Sequence, residues 1–262
     1  MFIGNKYKMR ADVLTVIIME LAFIPLILYF KVRFITSTLL FFAVPALFLL
    51  IRKPKQLKRL GASLAAGMIV AFIVDFLAEL NGAWSWAPVG QLIFPHKLFG
   101  LIPIDVLIWY FFWLLLTIVY YEHFFEHEIS KKVSLTFKRI LSAFILLLVA
   151  VIAIFYIDPA ILTFKYAYFY IGLVGALPFL YAIIKKPRLA GKLVKAGIFN
   201  IFVFLSFELT ALTLDQWRFP GEYIGNVQLL GLQFPLEEFV FWILLGTPII
   251  LSYYELFIDD KK

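Results

Sequence analysis

Eight apolar stretches, each long enough to cross a bilayer, set what this chain can fold into. A helical span needs roughly 20 predominantly apolar residues to cross about 30 Å of hydrocarbon. Such runs lie near 13–30, 34–51, 61–80, 101–121, 138–157, 166–184, 197–214 and 236–256. In lipid every backbone polar group needs a partner inside the protein, so the runs predict helices. The expected fold class is all-α, a polytopic membrane bundle of about eight transmembrane helices. Pro54, Pro88, Pro159, Pro187 and Pro220 fall in connections. Pro25, Pro45, Pro178 and Pro248 fall inside spans, where neighbouring helices can satisfy the freed carbonyls.

Charge supports this reading. Only 16% of residues are charged and 63% are hydrophobic, against roughly 25% charged in a soluble domain. So few charges cannot cover a water-facing surface, and the lipid bilayer is the expected partner. The net charge of +7 does not point to nucleic acid, because the basic residues sit in short clusters between apolar runs. Without cysteine there is no disulfide, thiolate metal site, iron–sulfur centre or cysteine nucleophile. The three histidines, His96, His123 and His127, form no HExxH pair, and no metal site is expected. The first apolar run lacks a following small-residue cleavage site, so it is expected to be a retained span.

Lys and Arg are unequally distributed between alternate connections. The N-terminus, the 52–60, 122–139 and 185–196 loops and the C-terminus hold three, five, four, five and two. Lys31, Arg33, Lys97, Lys165 and Arg218 make up the other set, giving nineteen against five. By the positive-inside rule both termini are expected to be cytoplasmic, in a multi-pass protein of the cytoplasmic membrane.

The chain also repeats itself. V-P-A-L-F-L-L-I-R-K-P at 44–54 aligns with L-P-F-L-Y-A-I-I-K-K-P at 177–187, an offset of 133. Asp75 aligns with Glu208 and Tyr120-Tyr121-Glu122 with Tyr253-Tyr254-Glu255 at the same offset. Pro103-Ile104-Asp105 aligns with Pro235-Leu236-Glu237 at 132, and Trp86 with Trp217 and Gly100 with Gly231 at 131. Two units, 1–130 and 131–262, are expected. Each has four spans, an even number, so the repeats are parallel, about an axis along the membrane normal, with a site at their interface. Oligomeric state is left open, a homo-oligomer included.

Ionisable residues within spans are costly and therefore functional candidates. Asp75 and Glu79 lie one turn apart in the third span, and Glu208 on the matching face of the seventh. Asp105, Glu237 and Glu238 open the fourth and eighth spans. All six fall near the same ends of their helices. The alternative for the last three is ordinary helix-start chemistry, acids following a proline. For Asp75 and Glu208 it is a buried polar contact between helices. Glu79 has Leu212 at its matching position, and Glu20, in the first span, has no counterpart. Glu122 and Glu255 lie about 26 Å further along their helices, at 1.5 Å per residue, and are expected to cap the opposite end.

All six tryptophans, Trp84, Trp86, Trp109, Trp113, Trp217 and Trp242, occur in the two carboxylate-bearing segments. An interfacial aromatic belt explains Trp84, Trp86 and Trp217, but not Trp113, well inside a span. Aromatic faces can instead stabilise a cation in an apolar cavity. A carboxyl group in oily surroundings favours its protonated form and can act as a general acid. Beside an aromatic cavity, such an acid suits protonation of a carbon–carbon double bond, with the carbocation quenched by ring closure and loss of a proton. Adjacent Glu237 and Glu238 point about 100° apart on a helix, so one of them is expected to face the cavity.

Trp217, Gln228, Gly231, Pro235, Glu237, Glu238, Phe239 and Phe241 carry a pattern that resembles the lycopene cyclase domain family, the small membrane carotenoid cyclases, in its tandem-fused form. The resemblance implies cyclisation of the ψ ends of lycopene without net redox change, with no cofactor and with a lipophilic polyene as substrate. It implies catalysis by the acids of a P-x-E-(E/D) motif, matched here by Glu237 and Glu238. The first unit departs from the motif, with Asp105 then Val106. Expected catalytic residues are thus Glu237, Glu238, Asp105, Glu208 and Asp75, with Trp217, Trp113, Trp242, Trp86 and Phe241 binding the substrate. No GxGxxG follows a strand, so no dinucleotide domain is expected. The rival readings are a proton-coupled carrier with parallel repeats and a carotenoid hydratase. A retinal-binding pump is disfavoured, since no lysine lies inside a predicted span.

Overall fold

A computed structural model describes residues 2–52, 57–86, 91–94, 96–126, 133–134 and 136–258, with no side-chain detail for 2–9 or Leu57. Pro54, Pro88, His127, Lys53, Lys55, Lys131, Lys132, Lys261 and Lys262 lie outside the described residues. The fold is an all-α polytopic bundle. Six helices are long and apolar enough to cross a bilayer, and two bent helix pairs bring the spans to as many as eight when each pair is taken as one span. These are α1 (Phe2–Phe30), α2 and α3 (Phe34–Thr38 and Val44–Arg52, joined by a π-helix), α4 (Leu57–Leu80), α5 (Ile104–Phe124) and α6 (Thr136–Ile157). Then come α7 (Ala167–Gly175) with α8 (Leu177–Lys185), α9 (Pro187–Thr213), and the π-helix Glu238–Leu244 with α10 (Gly246–Tyr253). The fit to a multi-pass membrane protein is direct: α6 is apolar almost throughout and keeps one fully buried residue, Val151.

The bends have identifiable causes. α7 and α8 meet at 45°, where Pro178 sits in the first turn of α8, offering no N–H to continue the ladder from α7. The final span bends by 56° beside Gly246 and Pro248, for the same reason. Pro25 is accommodated inside α1.

The structure adds short strands that the apolar pattern did not predict. β5 (Asn226–Leu229) and β6 (Leu232–Pro235) form a hairpin whose tip, Leu230-Gly231, has both residues at positive φ (51° and 80°). β2 (Lys97–Leu98) and β3 (Ile102–Pro103) form a second, with Phe99 and Gly100 at 54° and 74°. Gly100 and Gly231, aligned in sequence, thus mark two left-handed turn tips. β1 (Ser85–Trp86) pairs antiparallel with β4 (Trp217–Arg218), Ser85 facing Arg218, its own partner at offset 133.

Residues related by that offset contact one another reciprocally at the other, basic end. Tyr121 donates to Glu255, and Tyr254 donates to Glu122. Arg59 pairs with Glu122 at 3.2 Å and lies over the Tyr254 ring, while Lys192 approaches Glu255 at 3.6 Å and lies over the Tyr121 ring. Self-complementary contacts of this kind are what a twofold relation produces. Glu122 and Glu255, expected as helix caps, are instead buried or nearly so in this crossed clasp. Beside it, Asp12 binds Arg52 at 2.8 Å and His123 at 3.0 Å.

Candidate active site

A cavity of about 210 Å³ runs between α4, α5, α6, α7 and the bent last span. Its lining extends from Glu238 to Ile258, twenty residues further along that span, or roughly 30 Å at 1.5 Å per residue before the bend is considered. It therefore covers most of an apolar bilayer core of about 30 Å. The lining is apolar and aromatic, and Glu238 is its one carboxylate among the described residues; no Lys or Arg lines it.

The six candidate acids separate into three groups. Asp105 is fully buried, but it does not line the cavity. Its two oxygens accept the backbone N–H groups of Ile93 and Phe94 at 2.6 and 3.0 Å. Glu237 does the same for the second loop, accepting from the Ile224 N–H at 2.7 Å. Neither lines the cavity, and both tie their loops to the helix starts. Backbone N–H groups brought out of water need such acceptors.

Glu238 belongs to a second group. It is buried, receives the Tyr168 hydroxyl on Oε2, and faces the carboxyl of Glu208. Glu208 in turn accepts the Trp217 indole N–H at 3.0 Å. Asp75 and Glu79 make the third group. Asp75 accepts from the Trp84 indole at 2.9 Å and lies 3.4 Å from the Tyr110 hydroxyl. Tyr110 and Trp84 both line the cavity, so Asp75 stands one residue behind its wall. Glu79 is only partly buried. Glu20, far from this wall in sequence, is fully buried with neither carboxyl oxygen partnered.

Trp84 corrects the alignment. The Trp86–Trp217 match gives way to Trp84–Trp217, because each of these indoles bonds the carboxylate nine residues before it, at a common offset of 133. The spacing was present in the sequence; two tryptophans two residues apart hid it. Tyr168 and Tyr110 carried no comparable signal.

Trp86, Trp113, Trp217, Trp242 and Phe241, the expected binding residues, all line the cavity. Trp113 and Trp242 meet edge-on at 4.3 Å between centroids, and Trp109 stacks on Trp113 at 5.5 Å. Phe241 lies so close to α7 that only glycine fits opposite: a Cβ on Gly172 would be 2.3 Å from its ring. At the hairpin end Tyr223 donates to the Ala83 carbonyl at 2.8 Å and joins the two loops. Burial pushes its phenol up to about 12, so it stays a neutral donor.

How Glu238 reaches the cavity follows from the local helix type. Asp105 matches Glu237 at offset 132, whereas Trp109 matches Trp242 at 133, so the second unit holds one extra residue between them. The π-helix Glu238–Leu244 is where that residue is accommodated, a form seen mostly as single-turn insertions at functional positions.

The sequence matches no family model, and neither a curated protein nor a solved structure matches it.

Proposed function

We propose that the chain is an integral membrane carotenoid cyclase of the lycopene cyclase domain type, acting on the ψ end of lycopene. The observation that carries this reading is a lone cavity-lining carboxyl, Glu238, backed by Glu208 and Tyr168 in a long aromatic channel without a cation. Two negative charges side by side in such surroundings are prohibitively costly, so the pair holds a proton.

In this reading Glu238 gives that proton to the terminal double bond. A carbon–hydrogen bond forms and a tertiary carbocation results, over the faces of the surrounding indoles. The next suitably placed double bond supplies its electron pair to close the ring, and the cation moves into the ring. A ring C–H then loses its proton to the Glu208–Glu238 pair, which restores both the carbon–carbon double bond and the acid. No atoms or electrons are gained overall, in keeping with a site that calls for no cofactor. Asp75, behind Tyr110 and Trp84, is a reserve acceptor. The basic end is assigned to the cytoplasm, with both termini there and the hairpin end outside.

The test is the product made from lycopene in membranes that contain the chain. Cyclisation gives a pigment of unchanged mass with shifted absorption and retention. A mass gain of one water identifies a hydratase, and unaltered lycopene refutes both enzyme readings in favour of a carrier.

A further inference from the structure

We propose that the chain holds a single end-group site, because the space related to it by the 133-residue offset is closed by a plug of phenylalanines, so a two-ended polyene is processed one end per binding event. This deepens the cyclase reading and rests on it for the identity of the ligand.

Small residues on two helices leave room for the cavity between its aromatic walls. Ala66, Ala71 and Val74 on α4 and Gly175 on α7 line it. Their counterparts at an offset of 133 are Phe199, Phe204, Phe207 and, in the first unit, Phe42. Every one of the four changes from small to phenylalanine. Phe42, Phe204 and Phe207 are fully buried and pack on one another, Phe42–Phe207 at 4.7 Å and Phe42–Phe204 at 6.3 Å between centroids. Phe199 stacks on Tyr120 at 4.5 Å, whereas Tyr253, the counterpart of Tyr120, is left facing the open cavity opposite Ala66. A helix bundle fills its interior to crystal-like density, so side chains of this size occupy the matching space outright.

The chemistry is one-sided in the same sense. Tyr168, which holds Glu238, has Ile35 as its counterpart. The extra residue in the π-helix places an acid at the open cavity, while the first unit has Val106 at the matching position, next to Asp105, which is occupied by two backbone N–H groups. At these matched positions the small residues, the acid and the hydroxyl are thus all replaced on the closed side. Only the carboxylate that accepts an indole N–H nine residues on is retained on both, Asp75 with Trp84 and Glu208 with Trp217. A polyene with two reactive ends must leave, turn round and bind again, so the half-modified pigment is a free intermediate.

The experiment uses the full chain carrying Glu238→Gln, produced in a lycopene-making host and purified, with the pigment-to-chain molar ratio read by absorbance. The expected ratio is one. Adding Ala71→Phe and Val74→Phe, which copies the plug into the open side, should bring it close to zero with helix content unchanged. Should that variant not fold, Phe204→Ala with Phe207→Val is the converse, expected to raise the ratio toward two. With the unmodified chain and excess lycopene, the monocyclic pigment should appear free before any dicyclic product. A ratio other than one for Glu238→Gln, or a dicyclic product from the first turnover, overturns the single-site proposal. One bound pigment per chain without any cyclised product from the unmodified chain leaves the single site standing and refutes the cyclase reading instead.

Discussion

Neighbouring glutamates, Glu237 and Glu238, should respond very differently to the same amide substitution. Glu238→Gln keeps the shape and the acceptor for Tyr168, but an amide has no proton to give to carbon. General acid catalysis is typically worth about 10²–10⁴-fold, so cyclisation should fall by at least about 100-fold. Glu237→Gln keeps a carbonyl oxygen for the Ile224 N–H, now 2.7 Å away, and at most removes charge assistance from that bond. A charge-assisted hydrogen bond exceeds a neutral one by about 1 kcal/mol. If all of that reached the site it would slow the reaction roughly fivefold, since about 1.4 kcal/mol is a factor of ten. The gap between the two variants should thus be at least about 20-fold. Initial rates of pigment cyclisation in isolated membranes, normalised to the amount of inserted chain, measure it. A Glu237→Gln rate as low as or lower than that of Glu238→Gln would refute the assignment of the proton donor.

Other expectations follow from packing and from the crossed clasp. Gly172→Ala should lower the temperature of unfolding in detergent by a cost of about 1–3 kcal/mol and displace Phe241, since its Cβ would lie 2.3 Å from that ring; Phe241→Leu in the same chain should recover much of the loss. Gly221→Ala should cost a similar about 1–3 kcal/mol, because the new Cβ would stand 2.7 Å from the Gly82 carbonyl, and protease cleavage at the hairpin-end loops should rise. Tyr121→Phe and Tyr254→Phe each remove a donor from a buried or nearly buried carboxylate, at about 1.5–3 kcal/mol apiece, and their thermal shifts should agree closely, as their contacts are reciprocal; strongly unequal shifts would contradict the twofold relation.

The six to eight apolar spans were legible because lipid imposes one rule on every crossing segment, and length with composition reports it. The bends were half legible: Pro178 and Pro248 were visible, but whether a proline kinks a span or is absorbed, as Pro25 is in α1, depends on its neighbours. The strands were illegible as an apolar pattern, being two to four residues long, although Gly100 and Gly231 gave away their turns. The pairing of Trp217 with Trp84 rather than Trp86 turned on loop length, which differs between the units by two residues over that stretch. The plug could not be read at all. In a chain with thirty phenylalanines, Phe42, Phe204 and Phe207 stand out only once the residues opposite them are known to line a void.

The acids show why a pair of matched carboxylates is a poor guide to chemistry when taken by itself. Asp105 and Glu237 match in position and in contacts: backbone N–H groups of their loops bond both oxygens of Asp105 and one of Glu237, and neither residue lines the cavity. A side chain engaged in this way cannot be released for a reaction without unfastening a loop. Glu238 differs in having no backbone partner among the described contacts, only a phenol and a second carboxyl, both able to exchange protons. It is also the residue for which the helix widens its turn. A regular helix would have to choose between clamping the loop and facing the cavity, since consecutive side chains diverge by about 100° and the register downstream, including Trp242, is already fixed by packing. One added residue removes that conflict, keeping Glu237 on the Ile224 N–H while setting an acid against the channel.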